Sequence, residues 1–342
     1  MMRAVDPTLQ SASAPLRLVV DMEAAPRGIE RLAPHGSTRV GRWEISVNPA
    51  VDAPADYWIV FANARSRARR LCAPENTLFI AGEPAEKKTY PHRFYRQFHR
   101  IVDTHTGSRH PRIELSAPRL CWHVGLDESS RSYSKGWEEL SQLAAPVSLE
   151  NRISVVCSDA AHTPGQCRRL AFLAALKVRL GDRLVHFGRG FTPVEDKFTA
   201  IYGFRLHLVL ENCVAEHYWT EKVSDALLGW AHPCYVGCPN LTDYFSKDSF
   251  TALDVNDPAA AAGLIAARLD RPVEESERTA VAGARDRVLN AHNPFVTWAA
   301  WADRFYDAGA AVRPHVVWSH KAFRPGLGGL IFRLRQRLGF NV

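Results

Sequence analysis

Short apolar runs alternate with amphipathic segments along most of the chain. Apolar runs bounded by polar or turn residues are typical of strands buried in a parallel sheet, and apolar positions three or four residues apart are typical of the helices that cover it. In the first part of the chain this pattern predicts a helical stretch at 93–98 and strands at 16–21, 43–47, 57–61, 77–81 and 100–104.

The second part repeats the alternation. It predicts strands at 153–157, 184–187, 206–210, 233–236 and 250–255, and helices at 167–180, 220–230, 258–269, 274–290 and 294–308. Such alternation forms parallel sheets through right-handed crossovers, so each part is predicted to be Rossmann-like. We therefore predict an α/β fold with an N-terminal domain over 1–150, a second domain over 151–310 and a tail over 311–342. Its length of 342 residues also favours two cores.

Two polar residues follow the central apolar strand of the second part. Glu211 and Asn212 come directly after the strand predicted at 206–210. Ligands of α/β proteins bind at the carboxyl ends of strands, so this position predicts a nucleotide site.

The next helix begins with residues that suit an anion. Thr220 offers a side-chain oxygen as an N-cap, and Lys222 lies in the first turn. Free backbone N–H groups, the helix dipole and the ammonium group together attract a diphosphate. Glu221 would repel a phosphate and is predicted to bind a sugar hydroxyl, as acidic residues bind ribose in dinucleotide folds.

Residues 202–254 resemble a known family. Their pattern is aromatic-basic-x-x-L-x-x-E-N, followed by Y-x-T-E-K, a helix, an apolar P-x-Y-x-G strand, P-N-x-x-x-Y-F and S-F-x-x-x-D. The order and spacing resemble the donor-binding core of the family 10 glycosyltransferases, the α1,3/α1,4-fucosyltransferases, with a looser similarity over about 75–300. Two positions depart from the family pattern: Cys213 stands where serine is usual, and Leu210 where an aromatic residue is usual.

The resemblance implies a GT-B-like fold, in which two Rossmann-like domains face each other across the active site. It also implies an inverting, metal-independent transfer of fucose from GDP-fucose to a glycan hydroxyl, with no cofactor. The donor contacts that it implies come from Asn212, Tyr218, Glu221 and Lys222, with Glu211 beside them. A transferase for another GDP-sugar and a non-catalytic glycan- or membrane-binding module remain as alternatives.

Two further donor contacts are predicted on either side of the strand at 184–187. Arg169 opens an R-x-x-F helix that resembles a family helix whose arginine binds phosphate, and its guanidinium can bind two phosphate oxygens at once. Arg168 lacks the spacing to Phe172 that matches the family. Gly188 begins a short loop that resembles a glycine-containing loop of the family.

Inversion requires a base on the opposite side of the cleft. Glu83 lies in a Gly-Glu-Pro turn just after the strand at 77–81, and the resemblance implies that this carboxylate removes the acceptor proton. The alternative is a glutamate with a purely structural role in the turn. Glu86 lies among lysines and is a weaker candidate.

The net charge of +7 suits an anionic partner, which could be a nucleotide diphosphate, an anionic membrane or nucleic acid. No nucleic-acid-binding motif is present, so no nucleic-acid partner is predicted. Arginines 65, 67, 69 and 70 are predicted to form a solvated helix face. No metal site is predicted, because His105, His110 and His123 have no metal-ligand spacing and the Cys234/Cys238 pair has no second pair.

The tail predicts a basic amphipathic helix. Its apolar face comprises Leu327, Leu330, Ile331, Leu334 and Leu338, flanked by arginines at 333, 335 and 337. Such a helix either lies on an anionic membrane, where a lipid-linked or lipopolysaccharide acceptor would be found, or docks on the other domain. No apolar run is long enough to span a membrane and the start lacks a signal-peptide core, so a cytoplasmic protein, peripheral on the inner membrane, is predicted.

Overall fold

The computed structural model describes residues 14–64 and 67–337, apart from the side chains of Leu327 and of residues 335–337. Its strands are β1 (Leu16–Met22), β2 (Arg39–Val40), β3 (Trp43–Val47), β4 (Tyr57–Phe61), β5 (Arg67–Cys72), β6 (Thr77–Ile80), β7 (Arg100–Asp103), β8 (Ile113–Leu115), β9 (Leu126–Asp127), β10 (Ser132–Tyr133), β11 (Glu150–Val156), β12 (Leu184–Phe187), β13 (Phe204–Leu210), β14 (His232–Val236), β15 (Thr251–Ala252) and β16 (Arg313–Trp318). Its helices are α1 (His92–Tyr95), α2 (Trp137–Gln142), α3 (Pro164–Leu180), α4 (Phe198–Ile201), α5 (Glu221–Leu228), α6 (Pro258–Asp270), α7 (Glu275–Leu289), α8 (Pro294–Phe305) and α9 (Leu327–Arg337).

The N-terminal half is built on a seven-stranded sheet in the order β2-β3-β1-β4-β6-β7-β8. Neighbouring strands are parallel except for β2, which runs antiparallel to β3. Every residue of β4 and β6 is buried, which explains why these segments are continuous apolar runs instead of alternating ones. The five strands predicted in the first part of the chain are confirmed.

The second half contains a five-stranded parallel sheet in the order β12-β11-β13-β14-β15. Helices α3 and α6 pack on one face, and α5 and α7 pack on the other. The chain passes from β11 through α3 to β12, and then crosses to β13 on the other side of β11. The strand order therefore reverses between β11 and β13, and ligands of doubly wound sheets bind at such a switch point. The strand predicted at 250–255 is shorter than expected, because only β15 pairs with β14.

The two halves share one hydrophobic core and meet at the carboxyl ends of their sheets. The core is continuous from Leu18 of β1 to Val209 of β13 and Trp298 of α8. The segment after β6 reaches the start of α3, where Glu86 Oε1 lies 4.0 Å from Arg168 Nη2. This arrangement of two facing parallel sheets confirms the predicted α/β, GT-B-like class.

The C-terminal part of the chain returns to the N-terminal half. In α8, Asp303 Oδ1 accepts hydrogen bonds from Arg42 Nε at 2.7 Å and from Trp43 Nε1 at 2.9 Å. Strand β16 then pairs antiparallel with β5. Helix α8 and strand β16 therefore contact the N-terminal half, and the division at 150 and 310 stays a prediction.

The prediction of a solvated helix at the arginine cluster is wrong. Residues 67–72 form β5, whose side chains alternate between solvent and interior, and Arg70 is on the inner side. Its guanidinium donates to both carboxylate oxygens of Asp21, at 2.6 and 2.9 Å, and Trp58 Nε1 donates to the same carboxylate at 2.8 Å. The two-residue period of this strand does not show in the pattern of apolar residues, because one of its inward positions holds a buried arginine. Arg65 lies outside the described residues.

The tail is helical, as predicted, over α9. The side chain of Phe332 is buried, whereas those of Leu330, Ile331 and Leu334 are about half exposed. Leu338 and the side chains of Leu327, Arg335 and Arg337 lie outside what the structure describes. Among the described residues, no helix combines the length and apolar character needed to cross a bilayer.

The ion pair between Arg70 and Asp21 provides a test of the N-terminal half. Arg70→Ala should lower the free energy of unfolding by about 3–5 kcal/mol, because it leaves the Asp21 carboxylate buried without its cation. Urea denaturation followed by tryptophan fluorescence measures the change. Arg69→Ala is the matched control: its side chain is 53% exposed and lies 3.6 Å from Asp52. It should cost no more than about 1 kcal/mol. Equal losses in the two variants would contradict the assignment.

Candidate functional site

A cavity of ≈ 600 Å³ opens at the switch point of the second sheet. Its walls come from the carboxyl ends of β11 and β12, the second turn of α3, the first turn of α5, and a segment of the N-terminal half around residues 123–128. Three residues predicted for the site lie on these walls: Arg169, Gly188 and Lys222. Five further titratable residues on the wall were not predicted for the site: His123, Glu128, Cys157, Arg189 and Lys197.

Lys222 is held by a buried carboxylate. Glu211 has a fully buried side chain, and its oxygens accept from the Thr220 N–H at 2.8 Å, from Thr220 Oγ1 at 2.8 Å and from Lys222 Nζ at 3.2 Å. Burial disfavours the ammonium form of Lys222, but the carboxylates of Glu211 and Glu221 outweigh burial and raise its pKa. The ammonium group is therefore charged at neutral pH. Glu211 acts from behind the wall as a positioning residue.

Glu221 also lies behind the wall in this structure. Its carboxylate is 3.3 Å from Lys222 Nζ and 3.8 Å from Lys197 Nζ. Burial would raise the pKa of Glu221, but Lys222, His123 and Lys197 together lower it. The carboxylate is ionised, and both of its cationic partners reach the cavity wall.

Arg169 and Asn212 meet where α3 begins. Arg169 Nη1 donates to Asn212 Oδ1 at 2.7 Å, and its Nε is buried with no protein partner. Thr163 caps α3 by accepting from the Gln166 N–H at 3.2 Å. The close approach requires a glycine: a Cβ at Gly165 would lie 1.8 Å from the backbone oxygen of Asn212. Gly165 was not predicted from the sequence, because its role depends on Asn212, a residue far away in the chain that follows β13.

The loop predicted at Gly188 has the backbone that glycine permits. Gly188 has a φ of 129°, and a Cβ there would lie 2.5 Å from the backbone oxygen of Cys157. Gly190 has a φ of 84°. These conformations bring the loop against the end of β11 and expose Phe191 on the cavity wall.

Tyr218 is buried and does not lie on the wall of this cavity. Burial, with the nearby carboxylates of Glu211 and Glu221, raises the pKa of its phenol, which stays protonated. A direct contact between Tyr218 and a donor remains a prediction.

Glu83 lies outside the wall of the large cavity. Its carboxylate accepts a hydrogen bond from Lys87 Nζ at 2.6 Å. The same segment nevertheless borders the second half, because Glu86 Oε2 would be 3.3 Å from a Cβ at Gly165. The segment therefore lies on the Asn212 side of α3, and the role of Glu83 as the base stays a prediction.

Asp225 joins His123 to the second half. Asp225 Oδ1 accepts from the backbone N–H groups of His123 and Val124 at 2.6 and 3.0 Å, and Lys197 Nζ donates to Asp225 Oδ2 at 3.0 Å. Burial and the neighbouring Lys197 charge lower the pKa of His123. No local signal marked these residues, because their partners are far away in the sequence. Within the described part of the chain, no group of three or more His, Cys, Asp or Glu side chains could share a metal ion.

The chain was compared with known families, curated proteins and solved structures. No model of a known protein family matches the sequence, and no curated protein matches it. An α1,3-fucosyltransferase structure with GDP-fucose is 15% identical, with a TM-score of 0.49, over 90% of this chain and 95% of the other. The structure of an α1,3-fucosyltransferase with GDP is 14% identical, with a TM-score of 0.43, over 85% and 96%. A glycosyltransferase involved in lipopolysaccharide biosynthesis is 11% identical, with a TM-score of 0.40, over 86% and 100%. Because these TM-scores are below 0.5, no activity is transferred from these proteins to this chain.

The close approach of Gly165 to the backbone of Asn212 can be tested by substitution. Gly165→Ala should lower the free energy of unfolding by about 1–3 kcal/mol, because α3 must move away from Asn212 to admit the methyl group. Gly263→Ala, in the middle of α6, is the matched control, since a Cβ there meets nothing within 4 Å. That variant should be neutral or more stable by about 0.5–1 kcal/mol. Thermal and urea unfolding measure both changes, and a neutral Gly165→Ala variant would refute the close approach.

Proposed function

We propose that this protein is an inverting glycosyltransferase that moves a sugar from a nucleoside diphosphate sugar to a hydroxyl group of a glycan. GDP-fucose, or a related GDP-sugar, is the proposed donor. The observation that carries the proposal is the pair of cations at the switch point. Arg169 and Lys222 come from two different helices, and both lie on the wall of one cavity. Lys222 also belongs to the Y-x-T-E-K segment, and Arg169 to the R-x-x-F helix, that resemble the fucosyltransferase family.

The cations would stabilise the leaving group. When the bond between the sugar and the diphosphate breaks, its electron pair remains on the diphosphate oxygen, and negative charge accumulates there. Lys222 is already charged and held in place, and the free Nε of Arg169 is a further donor. Fixed donors aimed at a developing charge need no reorganisation during the reaction, which makes such stabilisation effective. The dipole of α5, with its positive end at Lys222, adds to it.

Glu221 and Asn212 would hold the remainder of the donor. When the donor binds, before any bond breaks, a shift of the Lys222 ammonium group toward the diphosphate would uncover Glu221, whose carboxylate could then accept from a ribose hydroxyl. Asn212 lies against Arg169, on the side where the segment around Glu83 meets α3. We assign this end of the site to the transferred sugar.

Glu83 is the proposed base. It would take the proton of the acceptor hydroxyl while the acceptor oxygen bonds to the sugar carbon from the face opposite the diphosphate. Its segment belongs to the N-terminal half and meets the start of α3 at Gly165, beside Asn212.

One observation favours a second candidate, a module of the same fold that binds a nucleotide sugar or a glycan without catalysing transfer. Glu83 is paired with Lys87 and does not line the cavity. Transfer by the proposed mechanism requires this carboxylate to be available to the acceptor.

Donor binding and transfer can be measured separately. Calorimetry should show that the protein binds GDP-fucose or another GDP-sugar, with no effect of EDTA. Arg169→Ala and Lys222→Ala should each weaken donor binding by about 10–100-fold, since each removes a charge-assisted contact worth about 1.5–3 kcal/mol. Glu83→Gln should keep donor binding but slow transfer by about 10²–10⁴-fold, the usual contribution of a general base.

Arg168→Ala is the matched control, because Arg168 is the exposed neighbour of Arg169 and should change affinity by no more than about twofold. Circular dichroism must confirm that Lys222→Ala is folded, since it leaves the Glu211 carboxylate buried without its ammonium partner. Selective GDP-sugar binding without transfer to any glycan would favour the second candidate. Normal transfer by Glu83→Gln would remove the base assignment.

We also propose that α9 contacts an anionic membrane, where a lipid-linked or lipopolysaccharide acceptor would be available. Leu330, Ile331 and Leu334 are about half exposed and lie on a helix that carries Arg333. Insertion of such apolar side chains beside cationic groups favours an anionic bilayer surface.

Replacement of Leu330, Ile331 and Leu334 together by serine should abolish sedimentation with anionic liposomes while leaving the fold intact. Truncation after Pro325 should have the same effect on sedimentation. Val178→Ser is the control, because Val178 is an exposed apolar residue on a different helix. Unchanged sedimentation of the triple variant would eliminate the membrane role of α9.

A further inference from the structure

The wall of the large cavity changes in chemistry between Lys222 and Glu128, the two ends of a row of contacting side chains. Arg169 and Lys222 make the first end cationic, as a diphosphate requires. At the other end the Glu128 N–H donates to the Glu195 oxygen, next in the chain to the apolar wall residues Pro193 and Val194. Arg189 and Lys197, on either side of this apolar stretch in the sequence, also line the cavity. An apolar surface beside a carboxylate suits a flat group that carries hydrogen-bond donors.

A row of polar groups connects the two ends. Lys222 Nζ lies 3.3 Å from Glu221 Oε1, which lies 3.8 Å from Lys197 Nζ. Lys197 Nζ lies 3.3 Å from His123 Nδ1, which lies 3.7 Å from Glu128 Oε1. The order along this row is thus the phosphate-binding Lys222, the Glu221 carboxylate behind the wall, Lys197 and His123 on the wall, and finally Glu128. A nucleoside diphosphate with its phosphates at Lys222 would have its ribose nearest Glu221 and its base toward Glu128.

Phe191 provides an aromatic surface at the Glu128 end. Its side chain is 42% exposed, and its ring contacts His186 at a centroid distance of 3.7 Å and Lys177 Nζ at 4.7 Å from the centroid. The left-handed backbone at Gly188 and Gly190 holds the loop in this position, and the Phe191 N–H donates to the Gly188 oxygen at 3.0 Å. An exposed ring on a cavity wall can stack on a nucleobase, a contact worth about 1–3 kcal/mol.

Glu128 is fixed through its backbone, and its carboxylate is still available. Its N–H donates to the backbone oxygen of Glu195 at 2.9 Å, which attaches the segment to the loop that carries the apolar wall. The carboxylate side chain is 42% exposed. Its ion-pair distances are 3.4 Å to Arg131 Nη1 and 3.7 Å to the His123 imidazole Nδ1, whose pKa is lowered by burial. These contacts leave lone pairs on both oxygens for a ligand.

The geometry points to Glu128 as the residue that selects guanine at the base end of the cavity. This inference rests on the proposed function, in which the cavity binds a nucleoside diphosphate sugar. A carboxylate accepts two parallel N–H bonds most strongly. Guanine presents N1–H and an amino N–H side by side. Uracil presents one N–H between two carbonyl oxygens, which repel a carboxylate, and adenine presents its amino group beside an unprotonated ring nitrogen.

The test is calorimetry on the full chain with GDP, ADP, UDP and xanthosine diphosphate. The unaltered protein should bind GDP more tightly than ADP and UDP. Glu128→Gln should weaken GDP binding by about 10–100-fold and change ADP and UDP binding by no more than about twofold. The amide offers one acceptor and one donor, which match the N1–H and the C2 carbonyl of xanthine. The preference for xanthosine diphosphate over GDP should therefore rise in this variant.

Two other variants separate base selection from general effects. Phe191→Ala should weaken GDP, ADP and UDP binding alike, because stacking does not depend on the hydrogen-bonding edge of the base. Arg131→Ala, which removes the outer partner of Glu128, should keep the preference for GDP.

Selective loss of GDP binding in Glu128→Gln, together with a gain for xanthosine diphosphate, supports the assignment. Tight GDP binding that Glu128→Gln leaves unchanged, or that falls equally for all nucleotides, overturns it while leaving the proposed function intact. Failure of the unaltered protein to bind any of the four nucleotides overturns both.

Discussion

The carboxylate of Glu211 connects the end of the central strand β13 to the first turn of α5. It has no exposed surface, and its acceptor positions are filled by the Thr220 backbone, the Thr220 hydroxyl and the Lys222 ammonium group. Burial raises the pKa of Glu211, so ionisation of the carboxylate depends on Lys222. A buried charge that loses its partner is strongly destabilising. The direction in which Lys222 points is therefore coupled to the packing of the helix on the sheet.

The same physical constraint extends across the cleft. Asp225, one turn further along α5, accepts two backbone N–H groups from the segment that carries His123. Asp196 accepts another from Gly125 at 2.9 Å. Side-chain carboxylates of the second half thus satisfy backbone donors of the first half, which would be costly to bury unpaired. These bonds fix the segment that carries the wall residues His123 and Glu128.

Sequence rules located the groups that depend on one strand and the helix that follows it. Asn212 follows β13, Lys222 lies in the first turn of α5, and Arg169 lies near the start of α3, so the switch point brings them together. Residues whose position depends on distant partners were missed: Gly165 is needed because of Asn212, and Lys197 is held by Asp225.

Strand β5 was mistaken for a helix for a similar reason. Arg70 satisfies its charge on Asp21 of a different sheet, and no pattern within β5 indicates that partner. Periodicity identifies which face of a segment is buried only when the buried residues are apolar. The burial of the α5 carboxylates, Glu221 and Asp225, could not be predicted either, because acidic residues on a helix normally indicate a solvated surface.

The pairing of β5 with β16 also affects how the protein is made. The second sheet uses a continuous stretch from β11 to β15, so its strands can associate as soon as that stretch leaves the ribosome. The edge of β5 has to wait for Arg313–Trp318, and Asn76 has to wait for the backbone of Asp307. Until then an unpaired edge strand is exposed, and such edges favour association between chains. The N-terminal half is therefore synthesised before the second half but completed after it. During that interval the nascent chain most needs a chaperone.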